Sequence, residues 1–311
     1  MVIRPGSFAH TPSIPELFGR ASETVLEIGF GDGRFLAALA QKNPERNYLG
    51  AEISRVSAQR GLARLWREDL DQVKIFVGDG VLALRHLFFP GSLAAIYANF
   101  PDPWPKRRHA ERRLASRDFF ALASSRLQPG GSFFLTTDHE GYFAFALSEA
   151  QASGVFAAEV LPPPPETLKT KYALQWQAQG KPIFHAQFQR LALAELELAD
   201  LRTEEMLHVI LAGEFPKGLV LEHQAYPIPG GHAVILETWS APESKILFLL
   251  RIEEQALSQE MIFELRPSHS GIYLGLHPFA EPLATAGVHS ALELLTVLLQ
   301  THGLQVQSAS F

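Results

Sequence analysis

The 311-residue chain contains no cysteine. That absence excludes disulfides, thiolate zinc sites, cysteine-ligated iron–sulfur clusters and a cysteine nucleophile. Its 12 histidines are scattered. No pair of them has helical ligand spacing around a glutamate, so no metal site is expected. Long apolar runs are missing too. Stretches such as Ile246-Leu-Phe-Leu-Leu250 are far too short to cross a bilayer. Residues 1–8 carry no apolar core of signal-peptide length, and a cytoplasmic protein without a membrane partner is expected. Positive charge is in the minority, with 27 Lys and Arg against 33 Asp and Glu, a net charge of −6. Such a mean field repels a polyanion, so any nucleic acid must be held by a local patch.

What is present alternates between strand and helix signals over the first two-thirds. The strands are Thr24–Ile28, Asn47–Ile53, Val73–Val77, Leu93–Ala98 and Ser132–Thr137. Between and after them, helices are expected over Arg34–Gln41, Ser54–Glu68, Val81–Leu87, Phe119–Leu127 (stopping at Pro129-Gly-Gly131) and Gly141–Ser153. This spacing implies an α/β fold with a parallel, doubly wound sheet. Leu161-Pro-Pro-Pro-Pro-Glu166 reads as polyproline-like. After it, Ile183–Leu191 alternates like an edge strand closing the same sheet.

From about Ala194 the pattern changes, and residues 1–193 and 194–311 are expected to be separate domains. A charged helix (Thr203–Ala212) would precede strands at Gly218–Gln224, His232–Trp239, Lys245–Glu253, Glu260–Arg266 and Gly271–Leu276. A final amphipathic helix, Ala284–Thr301, completes a smaller α+β domain of unassigned role.

Glu27-Ile-Gly-Phe-Gly-Asp-Gly33 lies between the first strand and the first helix. Glycines there permit close backbone approach to a ligand at a helix N-terminus. The spacing is G-x-G-x-G over Gly29, Gly31 and Gly33, rather than the G-x-G-x-x-G of dinucleotide folds. Pyrophosphate would be repelled by Glu27 and Asp32, whereas a cationic sulfonium would not. Glu52 ends the second strand, about 20 residues on, where an acid bonds ribose hydroxyls. Asp79 follows the third strand and is placed for an adenine amino group. Taken singly, each acid is a helix cap or loop charge; three in succession suit S-adenosyl-L-methionine.

The fourth strand runs into Asn99-Phe-Pro-Asp-Pro-Trp-Pro-Lys-Arg-Arg-His-Ala-Glu-Arg-Arg113. Pro101, Pro103 and Pro105 stiffen and extend this loop. They hold Asp102 beside Trp104, which is read equally as a base-stacking platform or as core packing. From Lys106 to Arg117, six cations face one acid, Glu111. A rigid acid beside an aromatic face and an arginine cluster suggests chemistry on a base of a polyanion.

These residues resemble the bacterial tRNA (guanine-N7-)-methyltransferases over about residues 22–191, and Phe100–His109 is highly specific for them. The resemblance implies a class I, Rossmann-like methyltransferase fold acting on the variable-loop guanine at position 46, with S-adenosyl-L-methionine as cofactor and tRNA as partner. It implies that Glu27, Glu52, Asp79 and Asp102 line the cofactor pocket, with Asn99 close by; the glycine loop adds Gly29, Gly31 and Gly33 to the cofactor-binding set, and Asp102 is the catalytic candidate. Lys106 and Asp138 would contact the target nucleotide. Arg108, His109, Arg112 and Arg113 would contact RNA, and Thr170, Lys171 and Tyr172 would open a substrate motif. Ala173 stands where the family has a glutamate, a contact that is lost or supplied by Gln175. Rival readings are a class I methyltransferase acting on another RNA or a small molecule, and a non-catalytic RNA-binding protein. A monomer is expected.

Overall fold

Runs of apolar residues with little alternation are what strands covered on both faces require, and four of the expected strands are of this kind. The structure, a computed structural model, describes residues 2–3, 11–194, 208–241, 245–254, 257–277 and 282–310. They gather into two compact units, one holding residues 11–194 with the strand at 2–3, the other holding residues 208–310.

In the first unit, β1 (Val2–Ile3) and α1 (Ile14–Phe18) lead into β2 (Thr24–Ile28), α2 (Arg34–Lys42), β3 (Asn47–Glu52) and α3 (Arg55–Arg67). Next come β4 (Val73–Val77), α4 (Gly80–His86), β5 (Leu93–Asn99), a 3-10 turn (Arg107–Arg112) and α5 (Arg117–Arg126). Then follow β6 (Leu127–Thr137), α6 (Glu140–Ser153), β7 (Phe156–Val160), α7 (Pro165–Leu168), α8 (Lys171–Ala178) and β8 (Phe184–Arg190). The sheet order is β1-β4-β3-β2-β5-β6-β8-β7. Strands β1 to β6 run parallel to one another, and β8 is antiparallel to both β6 and β7. This is the doubly wound, Rossmann-like α/β sheet that the alternation implied.

Four details differ from the sequence reading. Strand β8 is not an edge, because β7 lies outside it; β7 is mostly exposed and alanine-rich, so it lacks a burial signature. Strand β6 begins at Leu127, and Pro129-Gly-Gly131 loops out between the pairs Leu93–Leu127 and Ala95–Ser132. The proline run is not wholly extended: Pro165 opens α7 from the first-turn position that tolerates proline. Helix α8, capped by Thr170, was not expected at all.

The second unit is a seven-stranded antiparallel sheet in the order β10-β11-β12-β13-β14-β9-β15. Its strands are β9 (His208–Ala212), β10 (Gln224–Ile228), β11 (Gly231–Ala241), β12 (Lys245–Glu254), β13 (Leu257–Ser268), β14 (Gly271–Leu276) and β15 (Gln305–Ser310). Alternation along β12 buries Ile246, Phe248, Leu250 and Ile252 in one core with Leu292, Leu295 and Leu299 of α9 (Ala286–Thr301). The helix expected over Thr203–Ala212 is not found where it can be seen. Residues 203–207 lie outside the described residues, and His208–Ala212 is a strand, as its Val-Ile-Leu run prefers. No strand forms over residues 218–223; Leu219 and Leu221 instead drop into the core from an irregular segment.

Candidate active site

Strand order reverses between β2 and β5. Helices therefore leave on opposite faces, and a crevice opens beyond the carboxyl ends of the strands. The glycine loop lies at this point. Gly29, Gly31 and Gly33 have φ of 75°, 58° and 76°, a region costly for residues bearing a Cβ. At Gly33 space is limiting as well, since a Cβ would lie 3.1 Å from the Cα of Gly61 in α3. Around Gly29 and Gly31 it would meet nothing within 4 Å, so the backbone there borders open space.

Three acids surround this loop. Glu27 is 2% exposed, and Asn99 Nδ2 donates to its Oε1 at 3.2 Å. Its Oε2 is buried without a partner. Burial pushes the carboxyl up to about 8, the Asn99 bond opposing and the charges of Glu52 and Asp32 reinforcing the rise. Glu52 accepts from the N–H of Gly31 at 2.9 Å and of Ser54 at 2.8 Å, so it braces the glycine loop against α3. Asp79 caps α4, its Oδ1 accepting from Val81 and Leu82 N–H at 2.6 and 3.2 Å. Asp32 turns away to Arg34, 3.0 Å distant. An orphaned buried oxygen, an open glycine cradle and a ring of acids fit a cationic nucleoside such as S-adenosyl-L-methionine. No group of three or more His, Asp or Glu side chains able to hold a metal occurs among the described residues.

The proline loop leaves β5 alongside. Phe100 N–H donates to Thr136 O at 2.7 Å, tying its start to β6. Phe100 and Trp104 adopt φ of 55° and 40°, strained values for non-glycine residues. Arg113 holds the shape: its Nε lies 3.1 Å from Pro103 O, and its Nη2 donates to Trp104 O at 3.2 Å. The same guanidinium lies 4.7 Å from the Phe145 ring centroid. Much of the donor capacity that would meet RNA at this position is thus spent inside the protein. Trp104 is neither core nor a bare platform, because Arg112 lies over its ring at 5.1 Å and His109 meets its edge at 5.8 Å. Arg108 Nε donates to His109 Nε2 at 3.2 Å. Asp102, Lys106, Arg108 and Arg112 are exposed.

Asp138 follows β6, the strand beside β5, and the pairing of Asn99 with Thr136 brings its loop next to that of Asp102. His139 caps α6 by accepting from Tyr142 N–H at 3.1 Å, which stiffens the corner. Asp138 pairs with Lys181 at 3.6 Å. In the Thr170–Tyr172 segment, the Thr170 hydroxyl caps α8 and donates to Thr167 O at 2.7 Å. Lys171 is exposed, its ammonium 5.7 Å from the Tyr172 ring centroid. Tyr172 is half exposed, 6.4 Å from the Phe100 ring, so α8 borders the proline loop. Ala173 is fully buried and Gln175 exposed. Sequence reasoning assigned no role to Lys181 or Trp176, since neither belongs to a motif visible there.

The family described as "Putative methyltransferase" matches residues 21–186. The tRNA (guanine-N(7)-)-methyltransferase of Thermus thermophilus is 46% identical over 295 residues, 95% of this chain and 94% of that protein. The protein of the same name from Deinococcus radiodurans is 33% identical over an alignment of 332 positions covering 100% of both chains. That of Thermotoga maritima is 36% identical over 184 residues, 58% of this chain and 59% of its own. With the Thermus match running almost end to end, this chain belongs to the tRNA (guanine-N7-)-methyltransferase family.

Proposed function

We propose that this chain transfers the methyl group of S-adenosyl-L-methionine to N7 of guanine 46 in the variable loop of tRNA, acting in the cytoplasm as a monomer. The observation that carries this reading is the 46% identity to the Thermus enzyme across 95% of the chain. Further support comes from a site whose acids and glycines suit a cationic nucleoside and whose neighbouring loop is rich in cations.

Gly29, Gly31 and Gly33 would let the backbone approach the cofactor, Glu52 would accept from its ribose, and Asp79 from its adenine amino group. When bound, the sulfonium supplies an electrophilic methyl carbon. Guanine N7 already offers an in-plane lone pair, so no proton leaves before attack. The protein's task is therefore positioning. Asp102 and Asp138 would accept from guanine N1–H and N2–H₂, donors that adenine's edge lacks. As the purine turns cationic, these carboxylates stabilise it once the bound nucleotide has covered them. Exposed Lys106, Arg108 and Arg112 would hold phosphates and set register without reading sequence.

The test is mass-spectrometric mapping of methylated nucleosides after incubation with unmodified tRNA transcript and cofactor. A single 7-methylguanosine in the variable-loop fragment is expected. Methylation at another base or another loop rejects the reading.

A further inference from the structure

Lys181 is held from three sides. Its ammonium lies 3.5 Å from the centroid of the Trp176 ring and 3.6 Å from Asp138 Oδ2. Its backbone N–H donates to the Trp176 carbonyl at 3.0 Å. Sheet register sets this up: Thr137 of β6 pairs with Phe184 of β8, so the chain entering β8 passes the end of β6 where Asp138 emerges. An exposed ion pair or a surface cation–π contact alone restrains little. Here both act on one ammonium whose backbone is tethered to the same indole. Asp138 is meanwhile pinned between the end of β6 and the His139 cap of α6. The carboxylate is thus restrained at its backbone and at one oxygen.

We propose that Lys181 is a positioning residue for methyl transfer: seated on Trp176, it orients the Asp138 carboxylate through Oδ2 and leaves Oδ1 for the edge of the target guanine. This rests on the role given to Asp138 above. The lysine does not touch RNA. Its charge offsets that of Asp138 where a polyanion must approach, and its indole seat keeps it from swinging out to a phosphate.

Steady-state methylation of tRNA transcript by the full chain tests this. Lys181→Gln is expected to lower kcat about tenfold, with KM for tRNA within about twofold and its salt dependence unchanged. Lys181→Arg should restore most of the rate, because a guanidinium both stacks on an indole and bridges a carboxylate. In a double-mutant cycle, Asp138→Asn with Lys181→Gln should be no slower than Asp138→Asn alone. A raised KM with a salt slope shallower by about one would make Lys181 a phosphate ligand and overturn the proposal. Independent, multiplying losses in the cycle would overturn it too. If Asp138→Asn is impaired while Lys181→Gln runs at the wild-type rate, only this proposal falls. If Asp138→Asn keeps full kcat, the role of Asp138 falls and takes the proposal with it.

Discussion

Glu27 and His185 are buried groups whose neutral forms the fold selects, and they pull stability in opposite directions along the pH axis. Glu27 rises from 4.5 to about 8 through burial. Between those values the unfolded chain has released a proton that the folded one keeps, so stability falls as pH rises. Glu27→Gln should flatten that decline, read as urea midpoints from about pH 5 to 8. His185, 4% exposed and bonded to Thr136 Oγ1 at 2.9 Å, falls from 6.5 to about 4 through burial. Below pH 6.5 the unfolded chain takes up a proton that the folded chain refuses, so stability falls as pH drops toward 4. The loss should be on the order of 2 kcal/mol and should disappear in His185→Gln. At the reaction centre, Asp102→Ala should abolish turnover and leave tRNA affinity within about twofold in filter binding, since cations supply most of the affinity. A wild-type kcat would remove Asp102 from the mechanism. The acids were legible in sequence because each follows an apolar run at a strand end. The tasks of Arg113 and Lys181 were not, because each depends on partners that only folding brings near: the Pro103 and Trp104 carbonyls for one, Asp138 and the Trp176 ring for the other.

At the scale of elements, the proline loop has a shape that costs energy and therefore needs a brace. Phe100 and Trp104 sit at positive φ, and Arg113 ties down the carbonyls of Pro103 and Trp104. Arg113→Ala should lower kcat about tenfold and the melting temperature by a few degrees, while leaving the salt dependence of tRNA binding unchanged. Lys106, Arg108, Arg112 and Arg117 are exposed. If each neutralises one phosphate, log K should fall with log salt at a slope of about −3. Arg112→Ala should make that slope shallower by about 0.7, and an equal change in Arg113→Ala would contradict the bracing role. Elements carrying strong periodicity were legible: β2 to β5, α2, α3 and α9 fall within a residue or two of expectation. Those lacking it were not. β7 is exposed and alanine-rich, β15 is exposed along most of its length, and α8 has one buried residue, Ala173. The His208–Ala212 strand was misread as helix because charged residues just before it extended an apparent helical pattern.

For the whole molecule, each of the two units carries its own buried apolar packing among the described residues. The first lies around the parallel sheet; the second joins β12 and β13 to α9 through Phe248, Leu250, Phe263, Leu292 and Leu295. Leu250 is wholly buried, so Leu250→Ala should cost the second unit about 2–5 kcal/mol, visible as a lowered denaturation midpoint. None of the residues assigned to methyl transfer lies in that unit. The braced proline loop has a thermodynamic consequence for how the molecule meets its substrate. A strap that already has its working shape pays little ordering entropy when nucleic acid docks against it. Titration calorimetry at several temperatures should therefore return a small heat-capacity change, without the large negative value that marks a segment folding on its partner.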